Sequence, residues 1–359
     1  MPDTPTAPPT PDPTPATTSD MQTLRQEAMA QVQGAASLFL AFAGIASGLF
    51  EALVGRAPLT DAALAEVAGL DAGYVRRWAE AAYAFGLLDR SDAGYALSDR
   101  GRAFLPGVPG TLMPFAVQAV LGAHMAERAT GLMRSGERPG EAVLAERATV
   151  LPWFGPMLEA SFGPLFEREI LPGVPAFRAV DARGGLAVDL GCGNGWYLRR
   201  LAARHPHLRG VGLDGLDENV TQATTATARA GLASRLRFVR GDIHDFTLDE
   251  PADLIALNRA LHHVWAGKET VFRSLYAHLR PGGVAVIWEP RWPDDVADLR
   301  HPSRRGMAFQ NLSEHVQGNH FLRPSEIEAA FRGVGMSAET FLFAGGNEMV
   351  VVGQRPADG

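Results

Sequence analysis

The ten residues from Ala187 to Trp196, AVDLGCGNGW, limit what this chain can become more than any other stretch. An apolar run from Gly185 to Leu190 suits a buried strand. Gly191, Gly193 and Gly195 then make a tight turn, and Trp196 to His205 has helical spacing with Leu198 and Leu201 on one face. Glycines at such a turn let the backbone pass close to a ligand that side chains would hold off. A strand, a glycine loop and a helix in that order are how an open α/β sheet takes up a nucleotide.

The residues that follow keep to the same plan. Strands are expected at Gly210 to Asp214, Leu236 to Arg240, Asp253 to Leu257 and Val284 to Trp288, with helices between them. One of these helices, Thr270 to Leu279, is closed by the turn Arg280 to Gly283. Two further strands, Ser337 to Leu342 and Met349 to Gly353, flank a hairpin turn at Gly345 to Asn347. Strand–helix alternation predicts an α/β fold with a doubly wound, Rossmann-like sheet.

The first part of the chain is different. Residues 1–20 are mostly Pro, Thr, Asp and Ala without apolar periodicity, and read as a tail with neither the basic start nor the apolar core of a signal peptide. Met21 to Leu53 reads as one or two helices. Within it, Ala35 to Phe50 is apolar, but shorter than a bilayer span and broken by Gly44 and Gly48, so a buried or interface helix is expected and no membrane. Thr60 caps a short helix that ends at Gly69. Asp71 caps a second, running to about Phe85 with Val75, Trp78, Ala82 and Phe85 on one face. Ser91 to Gly94 is a turn between two short strands. Two helices and a hairpin make a winged helix, a shape that often binds DNA. Here Arg76 and Arg77 are offset by Asp71 and Glu80, and the chain carries a net charge of -7, so nucleic acid is not the expected partner. A dimerisation and substrate-lid role is preferred, and with it a homodimer. Arg102 to Phe177 reads as helix broken by prolines, with a surface loop at Gly136 to Gly140. The aromatic stretch from Trp153 to Phe166 suits core, interface or a substrate pocket. The domains expected are a tail over 1–20, a helical and winged-helix domain over 21–180, and a nucleotide-binding domain over 181–359. Cys192 is the one cysteine, so no internal disulfide forms, as in a reducing cytoplasm.

Two acids carry the first chemical signal. Asp214 stands where such sheets place a carboxylate for ribose hydroxyls, its bland alternative being a helix N-cap. Asp242 follows the third strand at the matching place and suits an adenine amino group. With the glycine loop, Asp214, the Gly241–Asp242 pair and the Leu-Arg-Pro-Gly-Gly run from Leu279 to Gly283, the segment from Gly184 to Gln354 resembles the class I S-adenosylmethionine-dependent methyltransferases. Gly195 falls one residue short of the spacing of a dinucleotide fingerprint. The resemblance implies that Asp189, Gly191, Cys192, Gly193, Asn194 and Gly195 hold the methionine part of S-adenosylmethionine. It further implies that Asp214, Gly215 and Leu216 hold the ribose and flank the base, that Gly241, Asp242 and Ile243 read the adenine, and that Asn258 completes the cofactor set.

The preceding helical domain is similar to that of small-molecule O-methyltransferases, in which a His-Asp-Trp motif carries a base. Here the stretch is Leu261 to Trp265, LHHVW. His263 aligns with the base, and Val264 replaces the acid that would fix its tautomer. Nine of the ten histidines lie beyond residue 200. His315, in the stretch from Asn311 to His320, together with the histidine pair, resembles a narrower group that methylates the β-carbon of α-keto acids in peptide-antibiotic pathways and uses a metal held by two histidines. That resemblance implies His263 and His315 as ligands of one iron or zinc ion. The remaining histidines, His262 and His320 among them, are expected at the surface or in packing. A metal chelated by a keto acid would stabilise the enolate, and two imidazoles leave positions open for the chelate. Three readings of function result: metal-assisted C-methylation of an α-keto acid, metal-free O- or N-methylation of a small metabolite with His263 as base, and a regulator that senses S-adenosylmethionine.

Overall fold

The computed structural model describes residues 18–140 and 142–357. The expected tail therefore lies outside the described residues up to position 17, and its last three residues are already helix. Helix α1 (Thr18–Ala46) runs unbroken through Gly44, where a Cβ would come within 2.7 Å of Trp78. Glycine at that point admits the indole, whose Nε1 donates to Leu40 O at 3.0 Å. The helix is thus longer than its apolar half, and by length and composition it is long enough to cross a membrane. Ala41, Phe42 and Ile45 are nevertheless buried in the N-terminal core.

Local chemistry ends the next elements where the sequence says it should. Thr60 accepts from the Ala63 amide and caps α2 (Asp61–Ala68); Asp71 accepts from Tyr74 and caps α3 (Ala72–Ala84). The hairpin β1 (Leu88–Ser91) and β2 (Gly94–Leu97) pairs antiparallel as anticipated. Gly94, at φ 126°, lies against the backbone of Leu59, where a Cβ would approach the carbonyl oxygen to 2.2 Å. Helix α4 (Met113–Leu132) crosses α1. Helix α5 (Phe154–Leu165) then leads into a π-helical turn, Phe166–Ile170, with Pro164 just before it.

The sheet of the C-terminal part has seven strands in the order β5-β4-β3-β6-β7-β9-β8. These are β3 (Leu186–Leu190), β4 (Arg209–Asp214), β5 (Leu236–Arg240), β6 (Ala252–Asn258), β7 (Leu279–Pro290), β8 (Ser337–Phe343) and β9 (Glu348–Gln354). All neighbours are parallel except β9, which is antiparallel to both β7 and β8. The run Arg280 to Gly283, expected as a turn, falls within the bounds of β7 as a bulge between Leu279, opposite Ala252, and Val284, opposite Leu254, with Gly282 at φ 72°. Both sheet faces are covered, one by α6 (Trp196–Arg204) and α7 (Asp217–Arg229), the other by α8 (Lys268–His278) and α10 (Pro324–Gly333), while α9 (Pro302–Val316) packs on α4. Fully buried parallel strands need apolar residues on both faces, which is why they read as continuous runs rather than alternation. The strand order reverses beside β3, and an α/β sheet opens a crevice at its carboxyl edge there. Gly94→Ala should destabilise the N-terminal region by about 2 kcal/mol or more through backbone strain and overlap with Leu59, measured by denaturant unfolding.

Candidate active site

The glycine loop is held by its own backbone. The amides of Gly191 and Cys192 both donate to Leu213 O at 2.9 Å, which ties the loop after β3 to the end of β4. Gly191, at φ 73°, sits against Ala260, where a Cβ would come within 2.9 Å. Asp214 bridges the same two loops: Oδ2 accepts from the Gly193 amide at 2.8 Å, and Oδ1 accepts from Leu216 N and Asn219 Nδ2, each at 3.0 Å. It is not the N-cap of α7, a position Leu216 occupies. A carboxylate has about four acceptor sites, so these three bonds leave capacity for a ligand hydroxyl. Gly193 meets no atom within 4 Å of where a Cβ would stand, so the space above the loop is open.

The crevice over this loop is walled by Phe154, Gly155 and Leu158 of α5 on one side and by Asn219, Asn258 and Arg259 on the other. Asn258 Oδ1 and Asp189 Oδ1 are buried acceptors without a hydrogen-bond partner among the described residues. Burial, together with the nearby charge of Asp214, holds the Asp189 carboxyl well above its usual range. Unmet acceptors beside a glycine loop suit the ammonium and sulfonium end of S-adenosylmethionine, because a cation there restores what burial removed. Asp242 is exposed; its Oδ1 accepts from the His244 amide at 2.9 Å and lies 3.0 Å from His244 Nδ1, which holds its carboxyl below the usual range. Its second oxygen has no bond to the described residues. Ile243 packs against the sheet core close to Gly191, and Leu216 is exposed.

Arg259 was not foreseen from the sequence. It leaves β6 with φ 55°, a left-handed conformation that costs a non-glycine residue roughly 1–3 kcal/mol. That backbone delivers a nearly buried guanidinium under the ring of Phe162, 3.9 Å from its centroid. Nη1 donates to Glu348 Oε2 at 2.7 Å, which also accepts from Trp288 Nε1 at 2.7 Å. Nε and Nη2 donate to none of the described residues, and Arg259 lines the crevice, so these nitrogens offer donors to a carboxylate. Its sequence signal was position alone: a cation directly after the fourth strand.

The histidines are rearranged relative to expectation. A 3₁₀ turn, Leu261–Gly267, follows Arg259. His262, expected as a surface or packing residue, is buried at its centre, with Nδ1 2.7 Å from Glu289 Oε2. Glu289 ends β7 and is only 1% exposed; its Oε1 accepts from the amides of Leu261 and His262 at 2.8 and 3.3 Å. Burial pushes its carboxyl up, but His262, Arg259 and His263 more than offset this and leave it below the usual range. On the other side, His262 Nε2 lies 3.7 Å from Glu314 Oε2 of α9. The His263 ring lies 4.1 Å from that of His262, tilted by 36°, and its Nδ1 is 2.9 Å from Asn319 Nδ2. His262, His263 and Glu314 each bring a ligand atom to within 4.8 Å of the others.

His315 is not part of this group. It is exposed, one residue past Glu314, and the inward face of α9 carries the carboxylate instead. Successive helical residues point about 100° apart, so one position decides between site and solvent. The donor set itself fits a metal: two imidazoles and a carboxylate suit iron or zinc. A carboxylate on the far nitrogen of a ligating histidine is the usual support, and Glu289 provides it for His262.

Asp189→Asn should stabilise the ligand-free protein at neutral pH and weaken its affinity for S-adenosylmethionine. The sign follows from the raised carboxyl: the folded state holds a proton that the unfolded state releases, so stability falls as pH rises from the ordinary carboxylate range through the raised value. Thermal unfolding across pH should show this decline in the wild type and not in the variant. Arg259→Met should lower affinity for S-adenosylhomocysteine roughly tenfold or more while leaving that for methylthioadenosine, which lacks the carboxylate, nearly unchanged by calorimetry.

Residues 187–283 match a family profile described as "Methyltransferase domain". A trans-aconitate 2-methyltransferase of Acidovorax sp. (strain JS42) is 36% identical over 124 residues, 34% of this chain and 44% of that protein. The sterol 24-C-methyltransferase of Saccharomyces cerevisiae is 29% identical over 137 residues, 38% of this chain and 35% of that protein. The chain thus spans less than half the length of these curated relatives. Two solved structures share the fold over nearly the whole chain. An O-methyltransferase family protein from Burkholderia thailandensis superimposes with a TM-score of 0.68 at 19% identity, covering 96% of this chain and all of that one. Human N-acetylserotonin methyltransferase, solved with its methyl donor, gives 0.68 at 18% identity, covering 95% of this chain and all of that one. The glycine loop, the acceptors beside it and the strand order agree with these matches: residues 187–283 match a methyltransferase domain, set in a fold shared with solved methyltransferases.

Proposed function

We propose that this protein transfers the methyl group of S-adenosylmethionine to the β-carbon of a small α-keto acid, with a metal held by His262, His263 and Glu314, in the assembly of a peptide-antibiotic building block. The observation that carries this reading is the His262–His263–Glu314 group, buried at His262 and Glu314 and half-buried at His263, with Glu289 behind it. Bound there, iron or zinc supplies Lewis-acid stabilisation of the developing enolate. The β-proton lost on enolate formation leaves to solvent, and the chain's own residues orient the ligand histidines and the methyl donor. Glu289 accepts from His262 Nδ1–H and turns the Nε2 lone pair toward Glu314. Asn319 fixes the His263 ring. Asp214, Asp242, Asn258 and Arg259 hold the donor by its ribose, adenine, ammonium and carboxylate. Phe154 and Leu158 of α5 wall the crevice against water, so the methyl group and the acceptor carbon meet without competing hydrolysis.

A second reading is favoured by one observation. The acid partner that Val264 does not supply is present as Glu289, but it serves His262. Without a metal, His262 Nε2 would then take a proton from an acceptor hydroxyl or amine, and the reaction would be O- or N-methylation, a role the sequence assigned to His263.

The division at about residue 180, cytoplasmic location and a homodimer complete the proposal. Met21, Leu24, Met29 and Val32 are exposed along the free half of α1, an apolar surface that a second copy would cover. Arg76 and Arg77 on α3 are paired with Asp61 and Glu80, which leaves no free basic face there for a nucleic-acid backbone. This supports a lid and dimer role for the helix–helix–hairpin unit.

His262→Ala and Glu314→Gln should each remove the bound metal and lower turnover of α-keto acids by about 100-fold or more, with affinity for S-adenosylhomocysteine nearly unchanged. Elemental analysis, calorimetry and a methyl-transfer screen decide it. Full turnover after exhaustive chelation would overturn the metal reading in favour of His262 as base. Light scattering should give a dimer, and Leu24→Glu with Val32→Glu should give a monomer.

A further inference from the structure

Along one face of α5 and the π-helical turn beyond it, every fourth residue meets α6 or the loop before it. At Gly155 a Cβ would stand 2.9 Å from Asn194 Cβ and Cγ. Glu159 comes next: Oε2 accepts from Arg199 Nη2 at 2.8 Å and Oε1 from Arg200 Nη2 at 3.3 Å. At Gly163 a Cβ would stand 2.6 Å from Arg200 Cζ. Glu167 is last, accepting from Arg200 Nη1 at 2.7 Å. Residues four apart share one face of a helix. The order gap, acid, gap, acid therefore forms a ladder that receives the two arginines of α6 edge-on.

The near end of the ladder is the cofactor loop itself. The free nitrogen of Arg199, Nη1, donates to the carbonyl of Asn194, between Gly193 and Gly195. The Arg199 side chain is only 12% exposed, and Glu159 is its one carboxylate partner among the described residues. Removing the partner of a buried cation leaves an uncompensated charge, so Arg199 would lose its position if Glu159 were absent. The same helix walls the crevice with Phe154 and Leu158.

We propose that Glu159 is a positioning residue for the methyl donor: by holding Arg199 it fixes the Asn194 carbonyl, and through it the loop Gly191 to Gly195, from outside the nucleotide-binding sheet. The N-terminal region thereby sets the shape of a cofactor site to which it contributes only the wall. The affinity arm of the test rests on the crevice taking S-adenosylmethionine; the exchange arm does not.

Three variants of the full chain test it: Glu159→Ala, Glu159→Gln and Glu167→Ala. Two readouts apply to each, with thermal unfolding alongside. They are calorimetric affinity for S-adenosylhomocysteine and amide hydrogen exchange over residues 191–199 in the ligand-free protein. Glu159→Ala should weaken affinity about tenfold and speed loop exchange. Glu159→Gln, which keeps a hydrogen bond to Arg199, should recover part of both. Glu167→Ala loosens Arg200 alone and should leave affinity and loop exchange at the wild-type level even where its melting temperature falls as far. Unchanged loop exchange in Glu159→Ala, or equal damage from Glu167→Ala, would overturn the proposal. A wild-type chain that binds no S-adenosylhomocysteine would count against the functional reading, and the exchange data would still decide the role of Glu159.

Discussion

A carboxylate sealed away from water has to be answered by positive partners, and Glu289 imposes that condition on the centre of this protein. Its two oxygens are used differently. One caps the turn after β6 through two backbone amides; the other holds the His262 ring. The turn cannot wander without exposing a buried charge, so the ends of β6 and β7, the histidine pair and the entry to the crevice are set together. Glu348 repeats the arrangement one strand further along, with Arg259 and Trp288 as its partners. Its own carboxyl is pushed up by burial, with Arg259 pulling against this. The two acids leave β7 and enter β9, which run antiparallel, and so meet at the same sheet edge.

Much of this was legible in the sequence because the signals were local. Thr60 and Asp71 cap helices with their own side chains, and the hairpin at Ser91 to Gly94 needs only glycine at its close. The central strands β3, β4 and β6 show as apolar runs because both of their faces are buried, whereas β5, at the sheet edge, alternates. The glycine loop, Asp214 and Asn258 also stand where the strand–loop–helix pattern puts them. The histidine site was legible only in part. Nothing near His262 announces a partner 27 residues away in Glu289, and a valine in place of the adjacent acid suggested that no partner existed. His315 was implied by a resemblance to proteins that hold a metal with two histidines, whereas the phase of α9 turns Glu314 inward. Arg259 depends on a left-handed backbone that arginine does not favour, so no propensity argument reaches it.

The N-terminal region has two distinct relations to the catalytic sheet. Its first part, α1 to β2, has its own core around Phe50, Trp78 and Leu97. Helix α5 and the turn after it belong to both. Phe154 and Leu158 pack toward the N-terminal core, while Phe166 is wholly buried among Phe177, Trp196, Tyr197 and Trp288. A rigid aromatic cluster on one end and a charged seam along the side leave this helix little freedom to tilt. On the histidine side of the site, α9 carries Glu314 and packs on α4.

The four-residue rhythm of α5 carries a consequence for how this chain can change length. Inserting or deleting one residue between Gly155 and Glu167 would swing everything beyond it by about 100°. An acid would then face the sheet and an aromatic ring would face α6. The π-helical turn at Phe166–Ile170 holds one residue more per turn than an α-helix, and such a turn is how a helix keeps two incompatible faces in register. Homologous chains can therefore be expected to vary freely in the loop from Gly136 to Gly140, and to preserve the count of residues from Gly155 to Ile170 even where the residues themselves differ.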